Sequence, residues 1–93
     1  MSASTELQVI TKILVSSYGQ APIHIVDQIQ AIMSDQKLYF CFRGYREVVR
    51  ILWTDLFHRE SAYETAFVIY NSLNKAHHID PRHSLNIFNG LDS

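Results

Sequence analysis

Potential metal ligands are concentrated near the carboxyl end of the chain. His77, His78, Asp80 and His83 place four such groups within seven residues, and imidazole and carboxylate both bind zinc. However, Pro81 interrupts the segment and the spacing matches no established ligand motif. We therefore expect no metal site and no cofactor. A metal-dependent activity at the three histidines is a third functional hypothesis, after protein binding and nucleic-acid binding.

Three arginines in the middle of the chain share a helical spacing. Arg43, Arg46 and Arg50 follow one another at steps of three and four residues, so on a helix they lie on one face. Guanidinium groups bind carboxylates and phosphates through paired hydrogen bonds. The alternative is a solvated face, because Glu47 is spaced to pair with Arg43 or Arg50. The stripe is the candidate contact site for an anionic partner.

The charge of the chain favours a protein partner over nucleic acid. Eight basic and nine acidic residues among 93 give a net charge of −1. Residues 36 to 60 are the positive part, with five basic and three acidic side chains, a balance of +2. Binding to nucleic acid usually requires a broader basic patch. A transcriptional regulator that uses the arginine stripe is therefore the alternative to a protein-binding regulator.

No catalytic motif accompanies these residues. The three glycines are too far apart for a phosphate-binding loop, and neither a nucleophile elbow nor a zinc-protease helix is present. Cys41 stands between Phe40 and Phe42, a setting typical of a buried, unreactive thiol. We expect a protein that is not an enzyme.

The single cysteine and the absence of a targeting pattern predict a cytoplasmic protein. One cysteine allows no internal disulfide, which favours a reducing compartment. The first residues show no signal peptide, and no apolar run approaches the length that spans a bilayer. We expect no association with a membrane.

Hydrophobic periodicity predicts most of the chain to be helical. A capping box at Thr5 to Gln8 and a stop at Gly19 bound a first helix over about residues 5 to 18. Pro22 opens a second helix. Residues 45 to 58 have apolar side chains on one face and predict a third helix. A second capping box at Ser61 to Glu64 begins a further helix of this kind over about residues 62 to 75. The inward residues predicted on the latter are Tyr63, Ala66, Phe67, Tyr70 and Leu73.

The last helix is predicted to be short. Asp80 can cap it, Pro81 suits its first turn, and Gly90 stops it after about two turns.

The segment Leu38 to Phe42 is ambiguous between strand and helix. It resembles a buried strand, but the chain offers only weak partners for a strand, and an unpaired strand leaves its backbone polar groups unsatisfied. As a helix, either continuous through Gly44 or broken there, it costs about 1 kcal/mol for the glycine. The prediction is helix, and a strand paired with its own copy across a dimer is the minority alternative.

Together these features predict one all-α domain, residues 1 to 93, built as a compact bundle of four to five helices. Eleven aromatic residues in so short a chain either fill a small helical core or leave apolar area for a partner surface. With the second interpretation we expect a homodimer and an aromatic contact surface. The predicted function is that of a small, non-enzymatic regulator, adaptor or inhibitor. It acts sterically on a protein partner with an acidic or apolar surface. The residues predicted to bind that partner are Tyr39, Arg43, Arg46, Arg50 and Trp53.

Overall fold

A computed structural model of the chain describes residues 3–56 and 60–90, with side chains described from residue 5. Within those ranges the fold is all-α and contains no strand, so the predicted class is confirmed and the strand alternative at residues 38 to 42 is wrong. The six described helices are α1 (Ala3–Tyr18), α2 (Ile23–Ser34), α3 (Gln36–Tyr39), α4 (Phe42–Asp55), α5 (Ala62–Ala76) and α6 (Arg82–Phe88). The number of described helices exceeds the predicted four to five because the region around the ambiguous residues 38 to 42 forms two helices, α3 and α4.

The first two helices form an antiparallel pair, as their short connection predicts. Gly19 has φ +73, the left-handed conformation that ends α1. α1 begins at Ala3, two residues before the predicted Thr5, so the predicted capping box lies inside the helix. α2 begins after Pro22, whose carbonyl accepts from the amides of Ile25 and Val26.

The helical segment is interrupted between α3 and α4 at Phe40 and Cys41, not at the predicted Gly44. Asp35 caps α3, since its carboxylate accepts from the amides of Lys37, 2.9 Å away, and Leu38. Gly44 lies in the first turn of α4 and is buried against the backbone of Leu38. α3 therefore folds back onto the start of α4 instead of continuing into it.

α5 packs against α1, α4 and α6 and so holds a central position. The second predicted capping box does not form: the Ser61 hydroxyl accepts from no amide of the helix and instead donates to the Tyr18 hydroxyl. α4 is described to Asp55, with Leu56 after it, and the predicted helical residues 57 and 58 lie outside the described residues.

The short α6 begins at Arg82, one residue after the predicted Pro81, and the predicted bond from Asp80 to its start is present. One carboxylate oxygen of Asp80 accepts from the Arg82 amide at 2.9 Å, and the Arg82 guanidinium also bonds to this carboxylate and lowers the pKa of Asp80. Gly90 follows the helix with φ +76.

The buried side chains form one continuous core between the helices. The residues fully buried there include Ile10 and Leu14 of α1, Ile25 and Ile29 of α2, Tyr45 and Leu52 of α4, Tyr70 and Leu73 of α5, and Ile87 of α6.

Candidate functional site

The exposed side of α4 carries the three predicted arginines. Arg43, Arg46 and Arg50 are all exposed and lie on one side of the helix. The other side is held in the core by a set of buried residues, Tyr45, Val48, Val49, Ile51 and Leu52. The predicted common face is therefore present, because α4 begins at Phe42 and contains all three arginines.

The neighbours of these arginines leave them accessible to a ligand. Arg50 Nε donates to Glu47 Oε2 at 3.0 Å, but both side chains are about half exposed, so the pair adds at most about 1 kcal/mol to stability. The Arg46 guanidinium carbon lies 5.8 Å from the centre of the Phe42 ring, in a cation–π contact. Arg43 forms no ion pair with any residue in the described ranges. The stripe is thus one of largely uncompensated positive charge.

A shallow depression of about 290 Å³ lies where the middle of α4 meets the start of α5. It is lined by Arg46, Val49, Arg50, Trp53, Thr54 and Tyr63. Trp53 is 40% exposed and Tyr63 is 42% exposed. The Tyr45 hydroxyl donates to the Tyr63 carbonyl oxygen at 2.6 Å, which ties the start of α5 to α4 beside the depression. We call the surface formed by Arg43, Arg46, Arg50, Trp53 and Tyr63 the Arg–Trp face.

Tyr63 was placed in the core by its sequence spacing, and this was wrong. The buried stripe of α5 begins one residue earlier, at Ala62, and continues through Thr65 and Ala66. Tyr63 therefore lies at the edge of the stripe, where the end of α4 leaves its ring half open. The edge of the buried stripe is marked by Ala62 and Thr65, which are buried. Small residues such as these contribute little to a hydrophobic pattern, so the sequence does not show where the stripe ends.

Tyr39 does not belong to the Arg–Trp face, contrary to the prediction. It is 3% exposed, and its ring stacks on Tyr70 with the centres 5.1 Å apart. Its hydroxyl donates to the side-chain carbonyl of Asn74. Burial, and secondarily the negative charge of Glu6, raises the pKa of Tyr39. The break at residues 40 and 41 explains the error, since Tyr39 and Arg43 are not on one continuous helix.

The three histidines considered as candidate metal ligands lie in different surroundings. His77 Nε2 lies 3.4 Å from Glu6 Oε2, whereas His83 Nδ1 lies 3.0 Å from the Asn74 side-chain oxygen. His78 is exposed and has φ 58. Across residues 3–56 and 60–90, no three His, Cys, Asp or Glu side chains are grouped so that they could hold a metal ion.

Cys41 is only partly buried, although the sequence predicted a buried thiol. It occupies the position before the first residue of α4, where its carbonyl accepts from the Gly44 amide at 3.2 Å. The turn between α3 and α4 brings this residue toward the surface.

The described helices include none that is both long and apolar enough to cross a bilayer. A scan against protein-family models, a search of curated proteins and a search of solved structures returned no significant match.

Proposed function

We propose that this chain is a small, non-enzymatic protein-binding regulator, adaptor or inhibitor that acts sterically through the Arg–Trp face. The observation that supports the proposal is a depression lined by the guanidinium groups of Arg46 and Arg50 and by two half-exposed aromatic rings, with Arg43 exposed on the same face of α4. Trp, Tyr and Arg are the side chains that contribute most to protein interfaces.

The chemistry of the face specifies its partner. The guanidinium groups favour carboxylates, which each can bind through two hydrogen bonds. Trp53 and Tyr63 flank a depression in which an apolar side chain would lose its contact with water. The matching surface is therefore an acidic segment with at least one apolar residue at its centre. Binding there blocks whatever else that segment contacts.

The test is a charge reversal with a matched control. Arg43→Glu, Arg46→Glu and Arg50→Glu combined change the net charge by −6. The control combines Lys12→Glu, Lys37→Glu and Lys75→Glu, which changes it equally at exposed positions on other helices. Both variants and the native chain would be used as bait in the native host, and affinities would then be measured with each purified partner.

We expect partners that bind the native chain and the lysine control but lose at least about tenfold in affinity for the arginine variant. Trp53→Ala should weaken the same partners without any change in charge. A partner that binds the arginine variant and Trp53→Ala as well as it binds the native chain would refute the proposal. If instead the native chain retains nucleic acid in a salt-sensitive manner and the arginine variant does not, the alternative of a nucleic-acid-binding regulator replaces it.

The proposal includes a cytoplasmic homodimer. Outside the Arg–Trp face, the large apolar side chains that are 40% or more exposed support self-association, namely Val15, Ile23, Phe40, Val68, Leu85 and Phe88. The lone free cysteine is consistent with a reducing compartment. Sedimentation of the purified chain across micromolar concentrations should show twice the mass of one chain, and a single-chain mass throughout would refute the dimer.

A further inference from the structure

A second cleft lies where the start of α1 meets the ends of α2 and α5 and the short α3. Its volume is about 360 Å³, and its walls include Glu6, Met33, Tyr39, Phe40, His77 and Ile79. None of these residues belongs to the Arg–Trp face. The lining is mixed: Met33, Tyr39, Phe40 and Ile79 are apolar or aromatic, whereas Glu6, Ser34, Gln36 and His77 are polar.

The carboxylate of Glu6 is held in place by neutral donors. Its side chain is 8% exposed, and Oε1 accepts from Gln30 Nε2 at 3.1 Å and from Ser34 Oγ at 3.0 Å. Oε2 lies 3.4 Å from His77 Nε2. Because two side chains of α2 hold Oε1 in place, the position of Oε2 is also fixed. Oε2 can accept a further hydrogen bond.

The charge of this carboxylate is only partly compensated. His77 carries a positive charge only when it is protonated, and the bonds from Gln30 and Ser34 are neutral. A buried carboxylate without a cationic partner is unfavourable, so a cation that reaches Oε2 gains a strong, charge-assisted hydrogen bond. Glu6 also acts on the cleft at a distance, since its charge contributes to the raised pKa of Tyr39.

The remaining walls suit the hydrocarbon part of such a cation. The rings of Tyr39 and Phe40 meet edge to face with their centres 5.2 Å apart, and Phe40 is 46% exposed. Tyr39 is buried with its ring stacked on Tyr70, so the accessible apolar surface of the cleft comes from Phe40, Met33 and Ile79. The volume is at the lower end of the range for small-molecule sites.

We propose that this cleft binds a small organic ammonium ion. The ammonium group donates to Glu6 Oε2, and its hydrocarbon chain lies against Phe40, Met33 and Ile79. The proposal is independent of the Arg–Trp face, so either site can fail without the other.

The first test varies only the charge of the ligand. Calorimetric titration of the native chain with 2-phenylethylammonium is compared with 2-phenylethanol and 3-phenylpropionate, which keep the ring but remove or reverse the charge. We expect the ammonium ion to bind at least about tenfold more tightly than the alcohol, as one charge-assisted hydrogen bond implies. Equal binding of the ammonium ion and the alcohol, or no binding of either, would overturn the proposal without the use of any variant.

The second test places the ligand. Glu6→Gln keeps the size of the side chain and should weaken 2-phenylethylammonium at least about tenfold, whereas Glu64→Gln, at an exposed carboxylate on α5, should leave it unchanged. Phe40→Ala removes a half-exposed ring and should weaken 2-phenylethylammonium more than butylammonium. Native affinity in a folded Glu6→Gln chain would overturn the proposal. If that variant does not fold, equal affinity of Phe40→Ala and native chain for 2-phenylethylammonium would overturn it instead.

The same titrations distinguish two sources of the ligand. Nα-acetyl-lysine N-methylamide presents the ammonium group as a polypeptide does, whereas butylammonium presents it as a free amine. Tighter binding of the first assigns the cleft to a lysine side chain of a polypeptide, and tighter binding of the second assigns it to a free amine.

Discussion

Gly44→Ala is the substitution for which helix propensity and the structure predict opposite signs. Alanine is favoured over glycine inside a helix by about 1 kcal/mol, and Gly44 lies inside α4. A Cβ atom at this position would, however, lie 2.5 Å from the carbonyl carbon of Leu38 and closer still to its oxygen. The neighbour is backbone, so it cannot yield by rotating a side chain.

The size of the effect follows from how far α3 must move. Carbon atoms in good contact are about 3.5 to 4.0 Å apart, so Leu38 must retreat by roughly 1 Å. The carbonyl of Leu38 also accepts from the Cys41 amide at 3.2 Å, and that bond is strained by the same movement. Overpacking costs about 3 kcal/mol in such cases and the weakened hydrogen bond about 1, while the gain in propensity offsets about 1. We expect a loss of about 3 kcal/mol in the free energy of unfolding.

The assay is thermal and urea unfolding followed by circular dichroism at 222 nm. A loss of this size should lower Tm by about 12 to 24 °C in a domain of this length. Gly19→Ala is the control, because nothing lies within 4 Å of a Cβ there and only the left-handed φ of +73 is unfavourable, at a cost of about 1 kcal/mol. If Gly44→Ala is as stable as the native chain or more stable, the close packing of α3 on α4 is refuted.

Two further predictions concern the buried tyrosines. The Tyr70 hydroxyl is buried and has no hydrogen-bond partner among the described residues, so Tyr70→Phe should raise the free energy of unfolding in urea by about 1 kcal/mol. Tyr45→Phe loses the hydrogen bond to the Tyr63 carbonyl and should lower it by about 1 kcal/mol. Equal effects of the two substitutions would contradict this account. Burial raises the pKa of Tyr39, Tyr45 and Tyr70 above the ordinary value of 10.0. Above pH 10 the unfolded chain loses these protons while the folded chain keeps them, so stability should fall as pH rises, by up to about 4 kcal/mol per pH unit for three residues. Tyrosinate absorbance and helical signal should then change together, and a rise in absorbance from all three residues while the helices persist would contradict the prediction.

Much of the fold follows from local signals in the sequence. Gly19 and Gly90 adopt the left-handed conformation that ends a helix, and Asp80 caps α6 through its side chain. Each of these signals involves only a few neighbouring residues, so it can be recognised in a short stretch of the sequence. Ser61 shows the limit of such a pattern, because the hydroxyl that could have capped α5 bonds to Tyr18, 43 residues away.

The break between α3 and α4 could not be predicted from periodicity. Leu38, Phe42, Tyr45, Val49 and Leu52 recur at helical spacing, which favours one continuous helix. The structure instead turns at residues 40 and 41. What makes the turn compatible with a packed core is the missing side chain of Gly44, which lets the backbone of Leu38 approach. Hydrophobic periodicity does not reveal a tertiary contact of this kind. In the pattern, Gly44 is only a residue with low helix propensity.

The two surfaces differ in how far the sequence revealed them. The arginines share a face on any helix that contains residues 43 to 50, so their arrangement was predictable before the helix ends were known. The environment of Glu6 was not predicted, although Glu6 precedes the buried Ile10 by four residues and so faces the same way. The capping-box pattern at Thr5 to Gln8 predicts that Glu6 lies in the first turn of the helix, whereas α1 begins at Ala3 and Glu6 is buried.

The turn between α3 and α4 connects the two proposed surfaces. Tyr39 before the turn and Phe40 within it form walls of the Glu6 cleft, and residues after it, beginning with Arg43, form the Arg–Trp face. Because Gly44 sets the distance between the two helices, a larger side chain there displaces the cleft walls while α4 keeps its arginines. Gly44→Ala should therefore weaken binding of 2-phenylethylammonium more than binding of a partner at the Arg–Trp face, under conditions in which the variant remains folded.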